Sequence, residues 1–302
     1  MILSSDFKQQ VREELLSFKS NDYVFSRQHG IDNSVLSKIK KGEITNLISD
    51  EQWLNIGKIL GITQNKRDWN IARTDVFSII EEEVMFCKEY SKSRIFIDDC
   101  GIGKTFTAKY LSRNIKNCFY IDASQAKTKN RFIRLLAGIL GIDNKGSYAD
   151  IISNIKYYLC VSTKPVIIID ESGDLDYPAF LEIKELWNAT ENLCGWYMIG
   201  AEGLRAKIER GINNKKVGYR EIFSRFSEKY STAIPLGNHE RMCFYRKLIT
   251  DVLSVNIKNK EQIPQIVKKC LIQQNGNIGG LRRAEALLIL NQENYGNKEE
   301  NA

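Results

Sequence analysis

The residue types best suited to chemistry in this chain gather at two places. One is the run DDCGIGKT, Asp98 to Thr105, and the other is the end of PVIIIDE, where Asp170 and Glu171 follow three isoleucines. Gly101 and Gly103 would let main-chain N–H groups close around phosphate oxygens, and a helix opening after them would add its N-terminal partial positive charge. Lys104 would reach the β- and γ-phosphates of a nucleotide, and Thr105 would offer its hydroxyl to Mg²⁺. Asp170 would hold the same ion, directly or through water, while Glu171 orients and deprotonates an attacking water. Lys104 and Glu171 are therefore the expected catalytic residues. Asp98, Cys100, Gly101, Ile102, Gly103, Lys104, Thr105, Phe106 and Asp170 are expected around ATP, with Thr105 and Asp170 at Mg²⁺. The strict loop pattern GxxxxGK[ST] fails at its first position, where Asp98 replaces glycine. Aspartate tolerates a left-handed turn better than most residues, but a carboxylate beside phosphates would weaken nucleotide binding.

Both places follow short apolar runs. Five such runs are present: Ile95 to Ile97, Cys118 to Ile121, Val166 to Ile169, Trp196 to Ile199 and Ala233 to Leu236. Each is β-rich and unalternating, as strands buried on both faces are, and the stretches between them, such as Thr105 to Asn114 and Asn130 to Leu140, have helical periodicity. The pattern predicts an α/β domain with a five-stranded parallel sheet, and ligands of such sheets bind beyond the carboxyl ends of the strands. A helix from about Asp75 to Tyr90 leads into it. After Leu236 three helical stretches, His239 to Val255, Gln262 to Gln274 and Leu281 to Asn291, read as a lid. Before it, Val24 to Glu43 reads as two helices across a turn at Gly30, the second starting near Asp32 or Asn33. Val35, Leu36 and Ile39 give that second helix an apolar face, and a further helix from Asp50 to Ile62 offers Trp53, Leu54, Ile56 and Leu60 to a core. The expected domains are 1–70, all-α with a helix-turn-helix; 71–238, the α/β core; and 239–302, the helical lid.

Composition sets outer limits. Of 302 residues, 43% are hydrophobic and 27% charged, values of a globular protein rather than a disordered one. The net charge of +7 permits a nucleic-acid partner without requiring one. Seven widely spaced cysteines suggest neither a disulfide framework nor a zinc site. With no signal-peptide pattern and no long apolar span, the expectation is a cytoplasmic protein without a membrane partner.

With DDCGIGKT, the DE strand end, EIFSRF (Glu221 to Phe226) and GGLRRAEAL (Gly279 to Leu287), the chain resembles AAA+ P-loop ATPases. Within that class it is similar to the transposition target-selection proteins of the phage Mu protein B type, which also carry a helix-turn-helix domain before the ATPase. The resemblance implies that Arg225 is an arginine finger inserted into a neighbouring subunit's site. It also implies that Arg282, with Arg283 as the alternative, senses the γ-phosphate from the lid. At the end of the fourth strand the class usually carries a small polar residue, whereas YMIGAE offers Ala201 and Glu202. Either Glu202 substitutes or that sensor is missing, and slow hydrolysis is expected.

Two basic clusters, Lys127 to Arg134 and Lys207 to Arg220, lie near the expected active faces. Lys127, Lys129 and Arg131 are candidates for the DNA backbone, since in related ATPases this loop faces the axis of a helical assembly. A solvated loop is the alternative. In the helix-turn-helix, Asn33, Ser34, Lys38 and Lys41 are candidates for a major groove, although tri-helical domains also bind proteins. The function this implies is an ATPase, slow and stimulated by DNA, that assembles on double-stranded DNA as a homo-oligomeric filament or ring and recruits or activates a transposase or other DNA-processing protein. A nucleotide switch in signalling or defence and a helicase loader or replication initiator are the alternatives.

Overall fold

Apolar residues at helical spacing build a small all-α unit from the first part of the chain. The computed structural model describes residues 4–17, 26, 31–60, 62, 69–272 and 278–299. It divides into two units, 1–69 with 141–143 and 70–140 with 144–302. In the first unit, α1 (Ser5–Ser17) buries Phe7, Val11 and Leu15, one side chain per turn. Helix α2 (Asn33–Lys41) is capped by Asp32, whose carboxylate accepts the Ser34 N–H at 2.7 Å, and ends at Gly42 with φ +106°. Helix α3 (Asp50–Ile59) starts from a reciprocal capping box between Ser49 and Gln52.

Leu36, Ile39, Trp53 and Ile56 complete the small core, but Leu54, expected there, is exposed because it lies about 100° round α3 from Trp53, off the buried face. Gly57 sits mid-helix at a cost of about 1 kcal/mol against alanine. A Cβ there would come within 2.4 Å of the Phe7 ring, so glycine is what lets α1 pack against α3. The first helix of the expected helix-turn-helix lies outside the described residues except for Ser26.

The second unit opens with α4 (Asp75–Tyr90), capped by Thr74, and continues β1 (Ser93–Ile97), α5 (Lys104–Asn114), β2 (Cys118–Asp122), α6 (Lys129–Leu140), α7 (Tyr148–Val161), β3 (Val166–Asp170), α8 (Tyr177–Ala189), β4 (Gly195–Gly200), α9 (Glu202–Asn213), α10 (Tyr219–Arg225) and β5 (Tyr230–Ser231). All five strands are parallel, in the order β2-β3-β4-β1-β5. Every residue of β3 and β4 is buried, the reason their sequences read as continuous apolar runs. Helix α4 lies so close to the start of β4 that a Cβ at Gly195 would fall 2.4 Å from the Cys87 carbonyl oxygen.

The fifth strand differs from expectation. Tyr230 and Ser231 pair with Ile95 and Phe96, whereas Ala233 to Leu236 form no strand. The Ala233 and Ile234 N–H groups turn instead to a side-chain carboxylate, and Leu236 is fully exposed. Three more helices follow: α11 (Asn238–Asn256), α12 (Ile263–Leu271) and α13 (Leu281–Glu299). Helix α12 buries Ile263, Ile266, Val267, Cys270 and Leu271. Asn70, at the start of the unit, exchanges hydrogen bonds with Asn256 at 2.6 and 3.0 Å, which ties the entry segment to the end of α11. No described helix is long and apolar enough to cross a membrane.

Candidate functional site

The loop Asp98 to Gly103 leaves the carboxyl end of β1 and feeds directly into α5. Gly101 and Gly103 adopt φ of +77° and +101°, conformations that cost other residues a steric penalty. Gly103 is also the N-cap of α5 and supplies no side-chain cap. The first N–H groups of α5 therefore have no intrahelical acceptor, and they point with the helix dipole into the loop. Ile102 is buried beneath the loop, Thr105 is half-buried, and Cys100 and Phe106 are exposed. Lys104 is only 8% exposed and donates to the main-chain oxygens of Asp98 and Asp99, so its ammonium spans the loop. Burial pulls its pKa below that of an ordinary lysine, which the charges of Asp98, Asp170 and Glu171 oppose.

Asp98 does not put its carboxylate among these N–H groups. Its Oδ2 accepts the Ala233 and Ile234 N–H groups at 2.6 and 3.0 Å, and Oδ1 accepts the Asp99 N–H at 2.8 Å. Its φ is not left-handed either. The residue that replaces the first glycine thus anchors the segment after β5, and the expected conflict with phosphates does not arise from this geometry. Asp99 turns to α11, where Oδ2 accepts from the Arg241 guanidinium and from the Tyr245 hydroxyl at 2.6 Å.

Asp170 ends β3 opposite Asp122 of β2 and is 1% exposed. Both its oxygens are oriented: Oδ2 accepts from the Tyr120 hydroxyl at 3.1 Å and Oδ1 from the Glu171 N–H at 2.9 Å. Glu171 is left-handed at φ +50°, a sparsely populated conformation for such a residue, of the kind that concentrates at functional sites. Burial first, and then the charge of Asp170, lift its carboxyl above the ordinary glutamate range, with Lys104 opposing. The loop and the two carboxylates are thus close enough to feel one another's charge. An uncapped helix start, two left-handed glycines, a buried ammonium, the Thr105 hydroxyl and a buried aspartate form a donor set that suits a nucleoside triphosphate with Mg²⁺.

The lid meets the loop through its main chain. The Leu281 N–H donates to the Gly101 oxygen at 2.8 Å, and a Cβ on Gly280 would come within 2.7 Å of that oxygen. Arg282 is exposed one residue beyond this contact. Arg283 folds back instead, donating to the Ile272 oxygen at 3.2 Å.

Arg225 is not brought to this site. It ends α10, donates from Nε to Asn188 at 2.8 Å and from NH1 to the Glu221 oxygen at 2.9 Å, and lies over the Trp187 ring. Trp187 in turn donates to Ser93 at the opposite end of β1. About 13 Å of strand, at about 3.3 Å per residue, separates that end from the loop. At the end of β4, Ala201 caps α9 without a side-chain bond, and the exposed Glu202 carboxylate pairs with Arg205 at 3.6 Å.

The candidate DNA residues are divided. Lys127 pairs with Asp174, in the turn after Glu171, at 2.7 Å. Lys129 neutralises Glu182, whose side chain is 5% exposed and also accepts from Tyr148. Arg131 is exposed. In the second basic cluster, Lys207 donates to the Gly173 and Leu175 oxygens and so braces the turn after Glu171, and Lys216 lies over the Tyr177 ring. On α2, Asn33, Ser34, Lys38 and Lys41 all lie on the exposed face, with Leu36 and Ile39 buried.

Tyr120, Asp99, Arg241 and Tyr245 also shape the site, and no motif in the sequence marks them. Only the doubled acid at Asp98 and Asp99 could have drawn notice, since the partners lie about 140 residues away in the chain. Residues 96–208 match a protein-family model described as an AAA domain, a span that holds the loop, Asp170 and Glu171 and ends before Arg225. No curated protein matches the chain. Sheet, loop and family match together support a P-loop ATPase domain of the AAA+ class.

Proposed function

We propose that this protein is a DNA-associated AAA+ ATPase that assembles on double-stranded DNA with ATP and Mg²⁺ bound, recruits or activates a transposase there, and is released by hydrolysis. The observation that carries the reading is the contact of the lid with the phosphate loop, Leu281 N–H on Gly101 oxygen beside Asp99 held by Arg241 and Tyr245. These contacts give a change in the loop on binding phosphates a direct route to α11 and α13, which supports a lid that follows nucleotide state. In this reading Lys104 and the α5 N–H groups bind phosphates, Thr105 and Asp170 hold Mg²⁺, and Glu171 takes the proton of the attacking water. Arg282 senses the γ-phosphate from the lid. Arg225, tied down far from its own loop, acts only on a neighbouring subunit, so the active form is a filament or ring.

DNA is taken by the exposed face of α2 through Asn33, Ser34, Lys38 and Lys41, and by Lys127 on the loop before α6 and Arg131 in the first turn of α6. Lys129, committed to a buried glutamate, contributes least. Replacing Lys38 with Ala weakens duplex binding evenly across sequences and lowers the salt slope by about one. The decisive experiment measures assembly on duplex DNA with ATP, with ADP and without nucleotide. Assembly with ATP alone is expected, and assembly indifferent to nucleotide rejects the reading.

One observation favours a second reading, a nucleotide-clamped switch. The end of β4 carries no small polar side chain, and Glu202 is occupied with Arg205. Single-turnover hydrolysis with and without DNA separates the two, because a sealed switch is not stimulated by DNA.

A further inference from the structure

A cavity of about 310 Å³ lies beside the outer strand of the sheet, between α5, β2 and the second half of α6. That volume falls at the lower end of small-ligand sites, about 300–1,000 Å³. Its α5 wall is cationic: Lys109 and Arg113 stand one turn apart on the same helix face, with Ser112 beside them. Neither cation pairs with a carboxylate among the described residues. Across from α5 the cavity is lined by β2, whose half-buried Tyr120 turns its ring toward α5, with Lys109 Nζ 5.4 Å from the ring centre, while the Phe119 ring packs against Tyr158. Tyr120 reaches past the cavity, because its hydroxyl donates to Asp170 Oδ2 at 3.1 Å.

We propose that this cavity binds a small phosphate-type anion between Lys109 and Arg113, and that Tyr120 is the positioning residue through which its occupancy reaches Asp170. Two cations without a carboxylate partner suit a doubly charged oxyanion, which Arg113 can hold through paired N–H groups. An anion there draws Lys109 off the Tyr120 face, where the ring's quadrupole holds the cation. The ring is then free to shift, and the orientation of Asp170 shifts with it. The binding half of the proposal stands by itself; the transmission half rests on the reading of Asp170 as the Mg²⁺ carboxylate.

Calorimetric titration of inorganic phosphate into the full chain saturated with ADP tests the first half. Saturable binding that weakens tenfold or more in the double variant Lys109→Ala/Arg113→Ala is expected. No saturable binding, or equal binding by the double variant, overturns the site, and so does competition by duplex DNA at equal phosphate concentration. For the second half, the free Mg²⁺ needed for half-maximal ADP binding is measured with and without phosphate. A shift of threefold or more in wild type, lost in Tyr120→Phe while phosphate still binds, is expected. The same shift in Tyr120→Phe overturns the transmission. Failure of the chain to bind ADP counts against the nucleotide site alone, because the phosphate titration of wild type against the double variant reads the cavity independently.

Discussion

Glu83, on α4, and Glu171, just beyond the end of β3, belong to the same unit, and their surroundings are opposites. Glu83 reaches the middle of β1 from α4, where it accepts from Arg94 at 2.7 Å, Tyr197 at 2.8 Å and Ser231 at 2.6 Å. Its charge is balanced and its oxygens are filled. Glu171 sits beyond the carboxyl end of β3 on a left-handed main chain, beside a second carboxylate, and among the described residues no donor reaches its side chain. A carboxylate with charge and hydrogen bonds met holds elements together, here α4, β1, β4 and β5. One left short of both is poised to accept a proton or orient a water.

Removing Glu83 should break the structural side of this contrast. Glu83→Ala leaves the Arg94 guanidinium and the fully buried Tyr197 hydroxyl without their acceptor, and a loss of about 3–5 kcal/mol is expected in urea unfolding. A loss under about 1 kcal/mol would mean that the hub is ornamental. Asp98 is the next largest case, a loop residue that behaves like Glu83. Asp98→Gly restores the strict loop pattern but strands two N–H groups. It should cost about 2 kcal/mol of stability and leave ATP affinity unimproved, as read by unfolding and by nucleotide titration. Tighter ATP binding with unchanged stability would return Asp98 to the role its position suggests.

The smallest effect concerns Glu171 itself. Its folded pKa is raised, so the protonated form is favoured by the fold. The stability tied to that form is complete below the unfolded glutamate range and is lost as pH rises through the raised folded value. Glu171→Gln should therefore melt slightly higher than wild type at neutral pH, with the gain vanishing at acid pH. A gain that grows on acidification would contradict the assignment of its environment.

What could be read in the sequence follows the same division. Strands β3 and β4 were legible because burial on both faces leaves almost only apolar residues, β1 and β2 because a short β-rich apolar run survives in each, and the loop because phosphate chemistry restricts it to glycine, lysine and threonine. Strand β5 was misread because its two residues, Tyr230 and Ser231, are half-buried at the edge, while the more apolar Ala233 to Leu236 make a turn fixed by Asp98. The role of Asp98 was hidden because its partners are 135 and 136 residues away. Lys129 looked free because Glu182, its buried partner, lies within what reads as an ordinary helix surface. Local chemistry leaves a local signature, whereas polar contacts between distant segments do not.

The proposed role of Glu171 is to activate water in a site whose nucleotide state governs a hold on DNA. It is tested most directly by loading wild type and Glu171→Gln onto duplex DNA with ATP and Mg²⁺ and following release. Loss of a general base costs about 10²- to 10⁴-fold in rate. Glu171→Gln should therefore bind ATP normally and stay on DNA while wild type dissociates as it hydrolyses. Release of the variant as fast as wild type would contradict the account.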